Sequence, residues 1–402
     1  MTSNALQVSD PYHLYSRAAV AAPVDDTLQG VISRLLPRLT LAVVNAGSKD
    51  DADAVLHATA NTRSWKSYEA VAHDIARAMG RAGCGRVLVV PEDRRLATRL
   101  AESGAGLVWL NTGGVQGRSQ AAHAPGALEM LGMPYIGHEP LAAAMLDNKP
   151  VFKRQLQALG IPTARFTTVS PGQTFFPRHD ARFLAAFPDY EGPFVVKPAC
   201  GRASQHVHFV MDRDLLPAMV MRVGASSGGT VMIEEYLPGS EYCIAVSGRT
   251  VARGGRFERR SEPFVFSGLE RRLDPGERIF TSMDQRPITA ARTRLLDPHT
   301  DADTLEQLHH LARDVFEGFD LDTLIRLDVR ADAEGRLKVL EANPKPDLAE
   351  PTEGVTSLVS IGLAAEGMTY DDLILSLFAN RINTAMRDRT VRHAALLQLI
   401  EG

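Results

Sequence analysis

The chain has 402 residues, 45% of them hydrophobic and 23% charged, with a net charge of −4. That length supports two or three domains with full cores, and so even a charge balance argues against a nucleic-acid footprint or a polybasic membrane anchor. Three scattered cysteines, Cys84, Cys200 and Cys243, form no CxxC pair, and no apolar run or signal-peptide core is visible, so the expectation is a cytoplasmic protein that enters no membrane.

Residues 1–35 read as an N-terminal extension with a short helix or two. "LTLAVVNAG" (39–47) has the pattern of a buried strand, and "SYEAVAHDIARAMGRAG" (67–83) that of a helix with a glycine stop. "RVLVVPED" (86–93) and "GLVWLNTGG" (106–114) are further strands, and "APGALEMLGMPYIG" (124–137) is a helix followed by a short strand. Alternating strand and helix implies a parallel sheet with covered faces, so residues 36–145 form a small α/β domain. "NKPVFKRQLQALGIPTARF" (148–166) opens the next part with a helix closed by Gly160. "PFVVKPAC" (193–200) is a strand entering a loop. "TVMIEEYLPGSEYCIAVSG" (230–248) is a strand, a break at Pro238-Gly239 and another strand. The arginine-rich stretch 253–285 shows little periodicity and reads as a long mobile loop. "ADTLEQLHHLARDVFEGFDL" (302–321) is an amphipathic helix, and "TYDDLILSLFANRINTAM" (369–386) closes the chain as another.

Between those helices stands "RLDVRADAEGRLKVLEANPKPDL" (326–348), a hairpin. With Glu334-Gly335 as a two-residue turn, Asp328 opposes Glu341 and Arg326 opposes Asn343. Alternation then puts these four on one face, with Ile325, Leu327, Val329, Leu340 and Ala342 on the core face. Two carboxylates at roughly 5 Å and an effective dielectric near 20 repel by about 3 kcal/mol. A divalent cation would offset this, and oxygen donors from Asp328, Glu341 and Asn343 suit Mg²⁺ or Mn²⁺, which usually share their shell with phosphate. The alternative is a solvated face neutralised by Arg326 and Arg330.

Three more segments carry candidate chemistry. Lys197 ends a strand before a loop containing Gly201, Ala203 and Ser204, whose backbone N–H groups could cradle phosphates; an ordinary turn with a surface lysine is the alternative. In "IEEYLPGSE", Glu234, the backbone at Tyr236 and Leu237, and Glu241 could meet a base edge and a ribose; an exposed acidic hairpin is the alternative. Lys149 and Lys153 stand one turn apart at a helix start that suits an anion, or else lie on a solvated face. The chain holds only seven lysines against 37 arginines, and Lys149, Lys153, Lys197 and Lys345 all fall in these segments. Lysine is thus kept where a compact point charge suits.

In chain order these segments resemble the ATP-grasp superfamily, most closely its D-alanine–D-alanine ligase branch, over residues 107–376. The resemblance implies an ATP-grasp fold: the α/β domain, a central subdomain (146–237) and a C-terminal subdomain (238–402) that together clasp ATP. It implies that Lys149 and Lys197 contact ATP phosphates, with Ser204 in the phosphate loop. Glu234 would meet the adenine amino group, Tyr236 and Leu237 the ring, and Glu241 the ribose. Asp328, Glu341 and Asn343 would bind two Mg²⁺ ions, Arg326 would stabilise a tetrahedral intermediate, and Ser357 would lie near the accepting substrate's carboxylate. Residues 253–285 would be the lid, and a homodimer acting on small amino acids is suggested.

The chain also departs from that branch. Its phosphate loop is "GRASQH", with Arg202 and His206 at glycine positions. "LNTGGVQGRSQAAH" (110–123) lacks the acids of the family's first-domain turn. The lid has no Lys-Tyr pair, and "NPKPDLAEPTEGVTSL" is long. These differences point to an amino-acid or dipeptide ligase of a specialised pathway. The rivals are a D-alanine–D-alanine ligase of cell-wall synthesis, a non-catalytic nucleotide-binding protein and, more remotely, a bicarbonate-using carboxylase component.

Overall fold

The computed structural model describes residues 27–54, 66–117, 119–201, 204–280, 292–352, 357–389 and 393–402. Expectations for residues 1–26, for Arg202 and Ala203, for the lid beyond residue 280 and for residues 353–356 lie outside the described residues.

The described chain opens with α1 (Leu28–Leu35), started by the Thr27 side chain, which accepts from the Gly30 amide. Val31, Ile32 and Leu35 are buried, so residues 28–35 belong to a core and not to an extension. The first sheet follows: β1 (Thr40–Asn45), α2 (Glu69–Arg81), β2 (Arg86–Pro91), α3 (Leu96–Ser103), β3 (Leu107–Leu110), α4 (His123–Met130) and β4 (Tyr135–Ile136). Its strands are parallel in the order β2-β1-β3-β4. Alternation along β1 feeds two cores: Leu41 and Val43 face α1 and α2, whereas Ala42 and Val44 face α3 and α4.

Two helices, α5 (Pro140–Asp147) and α6 (Lys149–Ala158), lead to an antiparallel sheet of order β5-β8-β6-β7. Its elements are β5 (Phe166–Val169), α7 (Ala181–Ala186), β6 (Phe194–Pro198), β7 (His208–Val210), α8 (Leu216–Ser227) and β8 (Val231–Glu235). Phe183, Phe187, Phe194 and Ile233 pack under α7 and α8 on one face. The other face holds the site.

The third sheet contains β9 (Glu241–Ser247), β12 (Phe264–Val265), β13 (Leu269–Arg271), β14 (Thr293–Leu295), β15 (Ile325–Ala331) and β16 (Leu337–Asn343), with β10 (Thr250–Arg253) and β11 (Arg256–Arg259) as a separate ribbon. The helix α9 (Ala302–Gly318) packs on its apolar face through Leu308, Ala312 and Val315. About half of residues 253–271 are therefore strand, and the stretch is not the mobile loop that its weak periodicity suggests: Phe264, Phe266 and Leu269 are buried by pairing with β9 and packing beneath it. The long helix α10 (Tyr370–Arg387), started by a Thr369/Asp372 capping box, and α11 (Ala394–Glu401) return to cover the first sheet. Among the described residues no helix is long and apolar enough to cross a membrane.

The hairpin β15–β16 corrects one detail. Its loop is Ala333–Gly335 closed by Asp332 and Arg336: the Gly335 amide donates to the Asp332 carbonyl, and Gly335 takes φ 81°, which glycine adopts without strain. Near the loop Val329 pairs with Val339 and Ala331 with Leu337; beyond a bulge at Asp328/Val329 the register becomes Asp328 with Glu341 and Arg326 with Asn343. The longer loop and the bulge each shift the register by one residue, and the shifts cancel. The bulge leaves Leu340 without a partner and turns it to the same cleft as Glu341, not to the core face.

Candidate active site

Five segments meet in one cleft of about 90 Å³ between the second and third sheets. Lys149, Lys197, Ser204, Glu234, Tyr236, Leu237, Glu241, Asp328 and Glu341 all line it. Arg326 and Asn343 line an adjoining cavity that shares Lys149, Asp328 and Glu341 with the cleft.

The helix α6 supplies two lysines because Asn148 starts it, accepting from the Val151 amide, with Pro150 in the first turn. Lys149 Nζ donates to the Gly201 carbonyl at 2.7 Å and lies 3.4 Å from Glu341 Oε2. It therefore ties the loop after β6 to the end of the hairpin. One turn later, Lys153 reaches Glu234 Oε1 at 2.6 Å, an ion pair without hydrogen-bond angles. Lys197, on β6, reaches Glu234 Oε2 at 2.5 Å.

This three-charge cluster is buried. Burial pushes the Glu234 carboxyl up, but Lys153 and Lys197 outweigh it, and its pKa lies below the ordinary value. Burial lowers the Lys197 ammonium, yet Glu234, Glu341 and Glu241 leave it raised. Lys153 has less compensation, and burial holds it below its ordinary value. Glu234 thus stands in the cleft wall with both oxygens engaged by lysines, which modifies the expectation of an acid presented to adenine. Its neighbour Glu235 turns away to Arg165 Nε (2.6 Å) and Lys338 Nζ (3.1 Å).

The Tyr236 amide donates to the Pro193 carbonyl, and Leu237 is buried against the cleft. Glu241 begins β9 and lies 2.8 Å from Arg271 Nη1 and 3.3 Å from Arg330 Nη1. Burial raises its carboxyl, and the two arginines offset this only in part because Asp328 and Glu341 stand nearby. Asp328 lies 3.2 Å from Arg326 Nε and 3.5 Å from Arg271 Nη1, and the Cys243 thiol donates to it at 3.0 Å. Burial would raise Asp328, but Arg326 and Arg271 hold it below its ordinary value. Asn343 Oδ1 accepts from the Lys345 amide at 3.0 Å.

Ser357 is the one expected site residue that lines neither the cleft nor the adjoining cavity. It is buried, its Oγ donates to Ser360 Oγ at 2.9 Å and accepts from the Ser360 amide, and it lines neither cavity. Capping that turn is what holds it there.

Sequence reasoning missed several cleft residues. Arg271 bridges Glu241 and Asp328 and stacks 4.0 Å from the Phe280 ring centroid. Arg330 stacks over Tyr236 at 5.1 Å. Phe280, Ile279 and Leu340 give the cleft an apolar side. The alternation in "FVFSGLER" was the available signal for the strand that carries Arg271.

The donors fit a hard cation. Two carboxylates and an amide oxygen share one hairpin end, and the protein already compensates the acids with Arg326, Arg271 and Lys149. Among the described residues no group of three or more His, Cys, Asp or Glu side chains gathers as a metal set, so the arrangement depends on the Asn343 oxygen and a shared ligand.

A cleft gripped between two antiparallel sheets and lined by lysines, arginines and carboxylates defines an ATP-grasp fold. The family model described as "D-ala D-ala ligase C-terminus" matches residues 155–379, more than half of the chain, and the chain belongs to that family. It is accordingly an ATP-dependent, ADP-forming ligase that joins carbon to nitrogen. A D-alanine–D-alanine ligase of Gloeobacter violaceus is 29% identical over 288 residues, 72% of this chain and 86% of that protein. An uncharacterised protein of Sinorhizobium fredii is 27% identical over 263 residues, 64% of this chain and 70% of its own length. The Bacillus anthracis D-alanine–D-alanine ligase in complex with ATP superposes with a TM-score of 0.62 at 17% identity, covering 88% of this chain and all of that one.

Proposed function

We propose that the protein is a peptide-bond-forming ligase of a specialised pathway, joining an amino acid to a second amino acid or amine. The observation that carries this is the convergence of Lys149, Lys197, Glu241, Asp328 and Glu341, from four separate segments, on one cleft. ATP lies between residues 146–237 and 238–402. The base takes the apolar side made by Leu237, Ile279, Phe280 and Leu340, against the Tyr236 backbone. Glu241 accepts from the ribose hydroxyls, and Lys149, Lys197 and the loop at Ser204 hold the phosphates. Asp328, Glu341 and Asn343 hold two Mg²⁺ ions, which when bound draw charge from the phosphoryl oxygens.

A substrate carboxylate attacks the γ-phosphorus, ADP leaves, and an acyl phosphate forms. The amine of the second substrate then attacks the carbonyl carbon, loses a proton, and phosphate departs with the old C–O bond pair. Arg326, half-buried at the hairpin, faces the negative charge that gathers on the carbonyl oxygen. The strand β13 and the segment to Phe280, which line the cleft, shield the acyl phosphate from water.

The test is ADP release over a panel of amino acids and amines, with mass determination of the product. Turnover strongest with D-alanine alone would favour a D-alanine–D-alanine ligase of cell-wall synthesis; D-alanine–D-alanine ligase is the name that several relatives carry. Tight ATP binding without ADP release from any pair would favour a non-catalytic nucleotide-binding protein.

A further inference from the structure

Beyond the carboxylates of the hairpin lies the adjoining cavity of about 110 Å³. It shares Lys149, Arg271, Asp328 and Glu341 with the nucleotide cleft, so a substrate held there meets the phosphate end. The charged residues on its unshared wall are Lys66, Arg326 and Lys345 against Asp147 and Asp347.

Tyr68 organises that wall. It takes φ 55° and ψ 18°, a left-handed conformation that is strained for a tyrosine. The buried Asn111 fixes it, its Nδ2 donating to the Tyr68 carbonyl at 3.0 Å. Lys345 Nζ then lies 3.1 Å from the ring centroid, and Lys66 Nζ lies 4.9 Å from it. Lys66 also lies 3.6 Å from Asp347. Lys66 comes from the loop before α2 and Lys345 from the exit of the hairpin, so two separate parts of the chain bring like charges to one ring. Both lysines belong to a chain that otherwise prefers arginine. The wall carries three cations against two carboxylates, and its surplus of one positive charge, gathered at Tyr68, favours an incoming carboxylate over an ammonium.

We propose that the cavity selects its substrate by an anionic group held between Lys66 and Lys345, so that one of the joined acids is a dicarboxylate. One carboxylate reaches the phosphate end and the other is bound at Tyr68. The assignment of a reacting carboxylate rests on the ligase reading above; the charge preference can be read without turnover.

The experiment titrates the full-length protein, saturated with Mg²⁺ and a β,γ-methylene analogue of ATP, with glutamate, glutarate and glutamine in a calorimeter. Glutamate and glutarate should bind at least tenfold more tightly than glutamine. Lys345→Met and Lys66→Met should each remove most of that preference, Lys345→Arg should keep it, and the nucleotide affinity should not change. Equal affinity for glutamate and glutamine, binding of neither acid, or a preference that survives in the double Met variant overturns the proposal. ADP release is then measured with the same compounds. Release with neutral amino acids alone sinks the proposal and leaves the ligase intact. A dicarboxylate preference in binding without ADP release from any acid–amine pair supports the anion site and removes the ligase reading.

Discussion

Glu234→Gln removes the one anion that, among the described residues, contacts two buried ammonium groups, Lys153 at 2.6 Å and Lys197 at 2.5 Å. Lys153 is fully buried and Lys197 nearly so. Truncating one partner of a buried ion pair costs about 3–5 kcal/mol, because the partner's charge is left without compensation. At roughly 2–4 °C per kcal/mol, the unfolding midpoint should fall by about 6–20 °C. Lys153→Met should cost less, under about 2 kcal/mol: it keeps the apolar stem, removes the less compensated cation and leaves the Glu234–Lys197 pair. The sign with pH follows from the depressed Glu234 pKa. The gap between wild type and Glu234→Gln is full above the ordinary carboxyl value of 4.5 and closes as pH falls through the lower folded value. Thermal and urea unfolding of both variants, followed by circular dichroism from neutral to acid pH, reads all three quantities. A Glu234→Gln variant within 1 kcal/mol of wild type, or a Lys153→Met variant that is the more damaged, would refute this account of the cluster.

Asp328→Asn and Glu341→Gln should each lower Mg²⁺-dependent ADP formation by about 100-fold or more while the circular dichroism spectrum is kept; near-normal turnover in either counts against the metal assignment. Glu241→Gln should raise the KM for ATP about tenfold with kcat changed far less, and an unchanged KM would remove its ribose role. Leu340→Ala should weaken ATP binding several-fold at a stability cost below the roughly 2–5 kcal/mol of a core leucine; a full core cost with unchanged ATP affinity would return Leu340 to the apolar face and deny the bulge.

The elements with strong periodicity, such as α2, α9 and the strands of the first sheet, were legible because one face of each must be buried. The opposition of Asp328 and Glu341 was legible too, but through two errors that cancel. A bulge has no marker in sequence hydrophobicity, so the two-residue turn was the simplest reading, and the orientation of Leu340 was lost with it. The segment 253–271 was misread for a different reason: its strands are two to four residues long, and β12 and β13 are held by pairing with β9, which lies outside any local window, while β11 pairs with β10. Arg271 disappeared with that strand. For Ser357 only its place in the chain could be matched, and position does not report its hydrogen bond to Ser360.

The sequence also presented the site's acids singly, as groups awaiting a ligand, whereas the fold has already matched each of them. Lys153 and Lys197 hold Glu234, Arg271 and Arg330 hold Glu241, Arg326 and Arg271 hold Asp328, and Lys149 approaches Glu341. Such pairing is what permits so many ionised groups to be buried at all. It is not an even match, for six cations surround four carboxylates. That surplus of positive charge suits a phosphate-bearing ligand over a neutral one. It also implies that the arginines between Glu241 and Asp328 must exchange carboxylate partners for phosphate or substrate oxygens when the cleft fills. Arg271 is the residue for which that exchange matters most, because among the described residues it alone touches both the proposed ribose acid and a proposed metal acid while stacking on Phe280 of the covering segment.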